Sequence, residues 1–181
     1  GEWGVGESLG QRRLDKRVIR ESYNEVDWDF TPDQLDSTES GERFESWEHT
    51  PNDPSQPVVN AVDPDRVHSR PGAFLEQVEI HNQFSPVTKV TIEGYTKGDP
   101  NTDLDDAERI VISQRQLTNR PPASDDILQR IDNDLVNRHG AVRTDTEGVY
   151  YLPEHDAFIY DLDDRSVAQY GGLILYESTN I

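Results

Sequence analysis

Between Pro71 and Gly98 the chain reads PGAFLEQVEIHNQFSPVTKVTIEGYTKG, and the alternation in this stretch restricts the fold more than any other feature. Phe74, Val78 and Ile80 fall on one parity, with Glu76, Gln77 and Glu79 interspersed, and Val90 and Ile92 alternate with Thr91 and Glu93. Period 2 is the mark of strands buried on one face. Asn82, Gln83, Ser85 and Pro86 supply turn chemistry between the two runs, and Pro86 has no amide proton to give a central ladder. The expectation is two β-strands, joined as a hairpin or as a loop between packed sheets.

The same signature recurs. Val26, Trp28 and Phe30 alternate with Asp27 and Asp29, and residues 57–62 form a short apolar run. In residues 108–117, Ile110 and Ile112 share one face and Val111 takes the other. Residues 147–152, 157–162 and 171–177 are three more candidates, which brings the strand count to eight. One helix interrupts them over about 125–139. Ser124 is its natural N-cap, Asp125 and Asp126 suit the positive end of its dipole, and Gly140 is placed to cap its C-terminus. Ile127, Leu128, Ile131, Leu135 and Val136 give it an apolar stripe, leaving Arg130, Asp132, Asp134 and Arg138 as its wet side. The expected fold is all-β, an eight-stranded jelly roll or β-sandwich with one inserted amphipathic helix.

Residues 1–16 carry four glycines in the first ten positions and read as a flexible basic arm; 17–181 read as a single β-sandwich domain. Arg12, Arg13, Lys16, Arg17 and Arg20 place five of the 17 basic residues within nine positions, a patch suited to lipid headgroups, nucleic acid or an acidic neighbour. From 31 to 56 periodicity dissolves into Pro, Ser, Asp and Glu, so a long acidic loop is expected there, with Phe44 and Trp47 as anchors and an interface as its use.

Leu, Ile, Val and Phe number 42 of 181 residues, about 23%, enough for a core but a lean one. Acidic residues outnumber basic ones 36 to 17, for a formal charge of −19, and only Lys16, Lys89 and Lys97 are lysines. Self-repulsion of that size opposes compaction in dilute salt, whereas at about 1 M salt the screening length shrinks to roughly 3 Å. Acid excess with scarce lysine and few large aliphatics resembles the proteins of extreme halophiles. Such a surface repels phosphate, which argues against duplex DNA and any specific nucleic acid as partner.

Candidate chemistry is sparse. Asp99, Asn101, Asp103 and Asp105 alternate like the first half of a calcium loop, but Leu104 stands where that loop needs Gly and Ile110 where it needs a bidentate Glu. They are the weak metal candidates. His68 and His81, with Glu76 or Glu79, would make a cupin-type metal site, though no His-x-His pair sets two imidazoles on one strand face. No GxSxG elbow supports a hydrolase, and with no Cys there is no disulfide, thiolate site or Cys nucleophile. Tyr150, Tyr151, Tyr160, Tyr170 and Tyr176 alternate with apolar strand positions and suit core or interface packing. No cofactor, catalytic residue, signal peptide or transmembrane segment is expected.

In length, strand count and composition, from the strand at Val26 to the one at Leu173, the chain resembles the single jelly-roll capsid proteins of internal-membrane icosahedral viruses of haloarchaea. It is closest in size to the smaller of their two major capsid proteins. The resemblance implies a non-enzymatic coat subunit in the virion shell, packed with itself and a second jelly-roll capsid protein above a lipid membrane. The basic arm would then touch membrane or an acidic neighbour. A cupin-type metal enzyme and a carbohydrate-binding or virion-decorating sandwich, with contacts from Trp28, Trp47 or the tyrosines, are the alternatives.

Overall fold

The structure is a computed structural model, and it describes residues 17–26, 36–40, 43–62, 71–96 and 109–177. Antiparallel β-sheet predominates among them, with a few helices between strands. The chain divides into two compact units, one of residues 1–76 and 90–116 and one of residues 77–89 and 117–181.

The first unit holds a five-stranded antiparallel sheet of β1 (Asp36–Ser40), β2 (Arg43–His49), β3 (Val58–Val62), β4 (Thr91–Thr96) and β5 (Arg109–Gln114). Their order is β1-β2-β3-β5-β4. β5 lies inside the sheet, with Ala61 opposite Val111 on one side and Ile92 opposite Ile112 on the other. Ile110, Val111 and Ile112 are all buried, so both faces of β5 are covered, and β-branched side chains suit that position. The β4 register shifts between Ile92 and Gly94. Gly94 has φ +153°, and a Cβ there would run into the Asn24 carbonyl. That close approach lets the Val26 N–H donate to the Tyr95 carbonyl at 2.7 Å and the Tyr95 N–H to Asn24 at 3.1 Å. Past the end of β5, Gln116 Nε2 lies 3.0 Å from each of the Pro51, Asp53 and Gln56 carbonyls and ties down the turn between β2 and β3.

A 14-residue helix, α1 (Pro71–Phe84), stands where a strand was expected. Its buried positions are Phe74, Gln77, Val78, His81 and Phe84, spaced by three and four as on one face of a helix. Two of the five are polar, so an apolar pattern alone hides the stripe. Pro71 suits the first helical turn, where a missing N–H costs nothing. The chain then turns through Pro86–Thr88, a 3-10 segment in which the His81 Nε2 and the Thr88 carbonyl oxygen are 3.0 Å apart. The second half of the expected pair is a strand, β4.

In the second unit the helix expected at 125–139 is α2 (Asp125–His139). Ser124 Oγ accepts from the Ile127 N–H, and Gly140 closes the helix in the left-handed conformation at φ +67°. Beside it are a three-stranded antiparallel sheet of β6 (Val142–Arg143), β7 (Tyr150–Leu152) and β8 (Ala157–Ile159), and a pair of β9 (Val167–Tyr170) with β10 (Leu173–Tyr176). Ile127, Ile131 and Leu135 of α2 pack with Phe84, Leu152, Ile159, Val167, Ile174 and Tyr176 in one continuous core. Arg120 fastens the end of the β9–β10 pair, donating to the Arg165 carbonyl at 2.8 Å and pairing with Glu177 at 2.9 Å.

Two expectations are corrected. Ten strands, not eight, lie among the described residues, and α1 makes a second long helix. The stretch 31–56 is not a single loop, because β1 and β2 pair within it. The strands formed there are rich in Ser, Thr and charged residues, so their partners, not an apolar alternation, define them. Residues 1–16 of the arm, with Arg12, Arg13 and Lys16, lie outside the described residues, as do Trp28, His68 and the acidic turn of Asp99, Asn101, Asp103 and Asp105.

Candidate functional site

The second unit concentrates what chemistry the described residues offer. On α2, Asp134 and Arg138 stand seven and eleven residues after Ile127, which continues the core stripe into polar positions. The Asp134 side chain is only 13% exposed. It accepts the Tyr176 hydroxyl at 2.6 Å, pairs with Arg138 Nε at 2.9 Å, and lies 3.5 Å from His139 Nε2. Arg138 reaches on to the Ile174 carbonyl at 2.6 Å, so one ionic cluster joins α2 to β10. Burial by itself would raise the Asp134 carboxyl, but His139, the Tyr176 hydroxyl and the Arg138 charge outweigh it and hold it below its ordinary value. Burial and the neighbouring carboxylate push the Tyr176 hydroxyl in the opposite direction, upward. Two residues earlier, Asp132 accepts from Arg143 at 2.6 Å and from the Tyr150 hydroxyl at 2.7 Å. Burial and that bond raise Tyr150 to about 12. Neither carboxylate belongs to a wet face, contrary to expectation.

His139 packs against the Phe84 ring at 4.1 Å between centroids and meets the edge of Tyr176 at 5.7 Å. Its Nε2 is buried and makes no hydrogen bond. It forms part of a pocket of about 340 Å³ bounded by the last turn of α2, the end of α1 and the turn between β7 and β8. That turn carries Glu154 and His155 and is closed by Asp156 at φ +47°.

On the three-stranded sheet, Val142, Tyr151 and Phe158 are directly opposed neighbours across the strands. Alternation turns Leu152 and Ile159 into the core and leaves this row outside, with Val142 52% and Phe158 54% exposed. The Tyr151 and Phe158 rings are 5.3 Å apart, and the Tyr151 hydroxyl donates to Asp156 at 2.8 Å. Tyr160, next along from β8, is exposed as well.

The described residues include only some of the expected site residues. Arg17 and Arg20 fall in the helical residues 17–22, where Arg17 pairs with Glu21 at 3.6 Å. Phe44 and Trp47 lie on β2, with Trp47 opposite Ser37 and Ala61. His81 sits on a helix, 1% exposed, while Glu76 and Glu79 are exposed, so these three do not share the strand face a cupin-type centre requires. Among the described residues no group of three or more His, Cys, Asp or Glu could hold a metal ion, and no helix is long and apolar enough to cross a membrane. The Asp134 cluster was within reach of sequence reasoning, because positions 127, 131, 134 and 138 keep one helical face. The exposed row required knowing that β6 pairs with β7.

No family model, curated protein or solved structure matches the chain.

Proposed function

We propose that the protein is a structural subunit that acts by assembling in high salt, with copies of itself and with a second coat chain, as a non-enzymatic component of a virion shell. The observation that carries this reading is the row of Val142, Tyr151 and Phe158, an apolar face held outward on a chain of charge −19. Contiguous exposed apolar patches are one mark of interaction surfaces. The occupant we assign to it is a second copy of the chain. Asp156 puts a carboxylate at the rim of the row, and a partner bearing the same acids can approach only where salt shortens the screening length to roughly 3 Å. Burial of the aromatic area pulls in the same direction. An eight-stranded jelly roll is the form that the capsid resemblance assigns to such a subunit, and antiparallel sheet is the part of it that supports the reading.

The exposed Phe158 ring and the half-buried Tyr151 ring beside it would also stack on the apolar face of a sugar, which favours glycan binding as the second reading. Phe158→Ser separates the two. Its side chain is more than half exposed, so folding should survive, while light scattering in molar KCl should show wild-type multimers and a variant of lower mass. Unchanged multimers in the variant would remove the row from assembly. Neutral oligosaccharide binding by a salt-indifferent monomer, lost in the same variant, would put the glycan reading in its place.

A further inference from the structure

A strand edge is a ready template for another chain, and proteins commonly blunt their edges with charge, cover or shortness. The second unit does so at three of its four. Along β9 the Gln169 N–H donates to the Asn119 carbonyl at 2.8 Å, and Arg120 reaches the Val167 carbonyl. Along β10 the Ile174 carbonyl accepts from Arg138 and the Tyr176 carbonyl from the Thr88 hydroxyl. The directions of the backbone groups in the three-stranded sheet follow from one bond, because opposed residues of an antiparallel ladder alternate between bonded and unbonded pairs. The Thr144 N–H donates to the Val149 carbonyl at 3.2 Å, so two residues along, Val142 and Tyr151 are again a bonded pair. Arg143 is then the outward residue of β6, a charged side chain on a strand only two residues long. Tyr151 commits its backbone groups to β6, while Tyr150 and Leu152 commit theirs to Ile159 and Ala157 of β8. The Phe158 N–H and C=O therefore point away from β7, and nothing among the described residues meets them. This fourth edge carries no charge at its outward residue, whose side chain is the most exposed of the apolar row.

We propose that a second copy of the chain adds at this edge, β8 against β8, antiparallel across a two-fold axis at Phe158. The inference rests on the assembly reading and gives it a geometry. Phe158 of each copy donates its N–H to the Phe158 carbonyl of the other, and a two-fold axis makes that exchange self-complementary. The two three-stranded sheets become one of six strands, with the apolar row running unbroken from Val142 of one copy to Val142 of the other. The Phe158 rings meet on one face with their Cβ atoms about 5.5 Å apart, so each ring gains a neighbour on the side away from Tyr151. The same register keeps the acids of the row apart. Each Asp156 is directed toward Tyr160 of the other copy, and the two Asp156 residues stand four positions from each other along the strands. At about 3.3 Å per residue that is about 13 Å, well beyond the screening length of roughly 3 Å in molar salt.

The test is hydrogen exchange at the Phe158 amide of the full wild-type chain in molar KCl, with light scattering on the same samples to identify the multimer and the monomer obtained from it by dilution. The Phe158 amide should exchange at least about tenfold slower in the multimer than in the monomer, whereas the Tyr151 amide, held in the ladder in either state, is protected in both. Rows packed face to face would bury the Phe158 ring and leave this edge amide open. Multimers in which it exchanges as fast as in the monomer would therefore overturn the edge pairing and leave the assembly reading standing. A chain that stays monomeric at every concentration would overturn both.

Discussion

α1 and α2 are helices of nearly equal length with opposite legibility. α2 has a Ser N-cap whose hydroxyl is used, acids in its first turn, a left-handed Gly at its end, and Ile127, Ile131 and Leu135 buried at intervals of four. Every local signal agrees with the tertiary role, the condition under which a sequence specifies a structure plainly. α1 buries Phe74, Gln77, Val78, His81 and Phe84, an equally regular stripe, yet a glutamine and a histidine occupy two of its positions. Among its apolar residues, Phe74, Val78 and Ile80 share one parity and so imitate a strand. The lesson is that burial, not hydrophobicity, carries the period, and a polar side chain with a partner counts as buried.

If both helices are held by their inner faces, truncating those faces should have the largest effects. Phe84→Ala should cost about 3–5 kcal/mol and Leu135→Ala about 2–5 kcal/mol, read from urea midpoints in molar KCl. A strand over 71–84 would instead make the even-numbered Ile80 a core residue and His81 a solvent-facing one, so a costly Ile80→Ser beside a harmless His81→Ser would break the comparison. The α2 cap supplies the next effect: Ser124→Ala should remove about 1 kcal/mol. If the helix were fixed by packing alone, that change would be silent.

The smallest effect is a pH dependence peculiar to α1. Burial lowers the His81 pKa below 6.5, with the Thr88 carbonyl pulling weakly in the opposite sense. Below pH 6.5 the unfolded chain therefore binds this proton before the folded one does, and stability contributed by neutral His81 is lost as pH falls from 6.5 through the lowered folded value. Urea midpoints at pH 7 and pH 5 should show that loss in wild type, and His81→Leu should flatten it. An unchanged slope in the variant would mean that another group titrates there.

Legibility followed the same rule elsewhere. β3, β4, β5, β7, β8 and β10 all fall where alternating or β-branched runs predict them, since each buries apolar side chains on at least one face. β1 and β2 do not, because DSTES and RFESWEH look like loop and become strands only by pairing with each other and with β3. β6 is two residues long, and β9 sits in a stretch read as a connection. Of the site, Asp134 and Arg138 keep the period of the α2 core and were recoverable from spacing. Tyr176 and the turn with Glu154 and His155 were not, because nothing local brings the β7–β8 turn to the end of α2 or Tyr176 to Asp134, 42 residues before it.

The central claim is that an acidic chain with an outward apolar row assembles when salt screens it. The native mass of the wild-type protein, measured by light scattering on a sizing column in molar KCl and again after dialysis to low salt, tests that claim most directly. The account predicts discrete multimers in high salt that dissociate as the salt is removed. A monomer of unchanged mass in both conditions would contradict it.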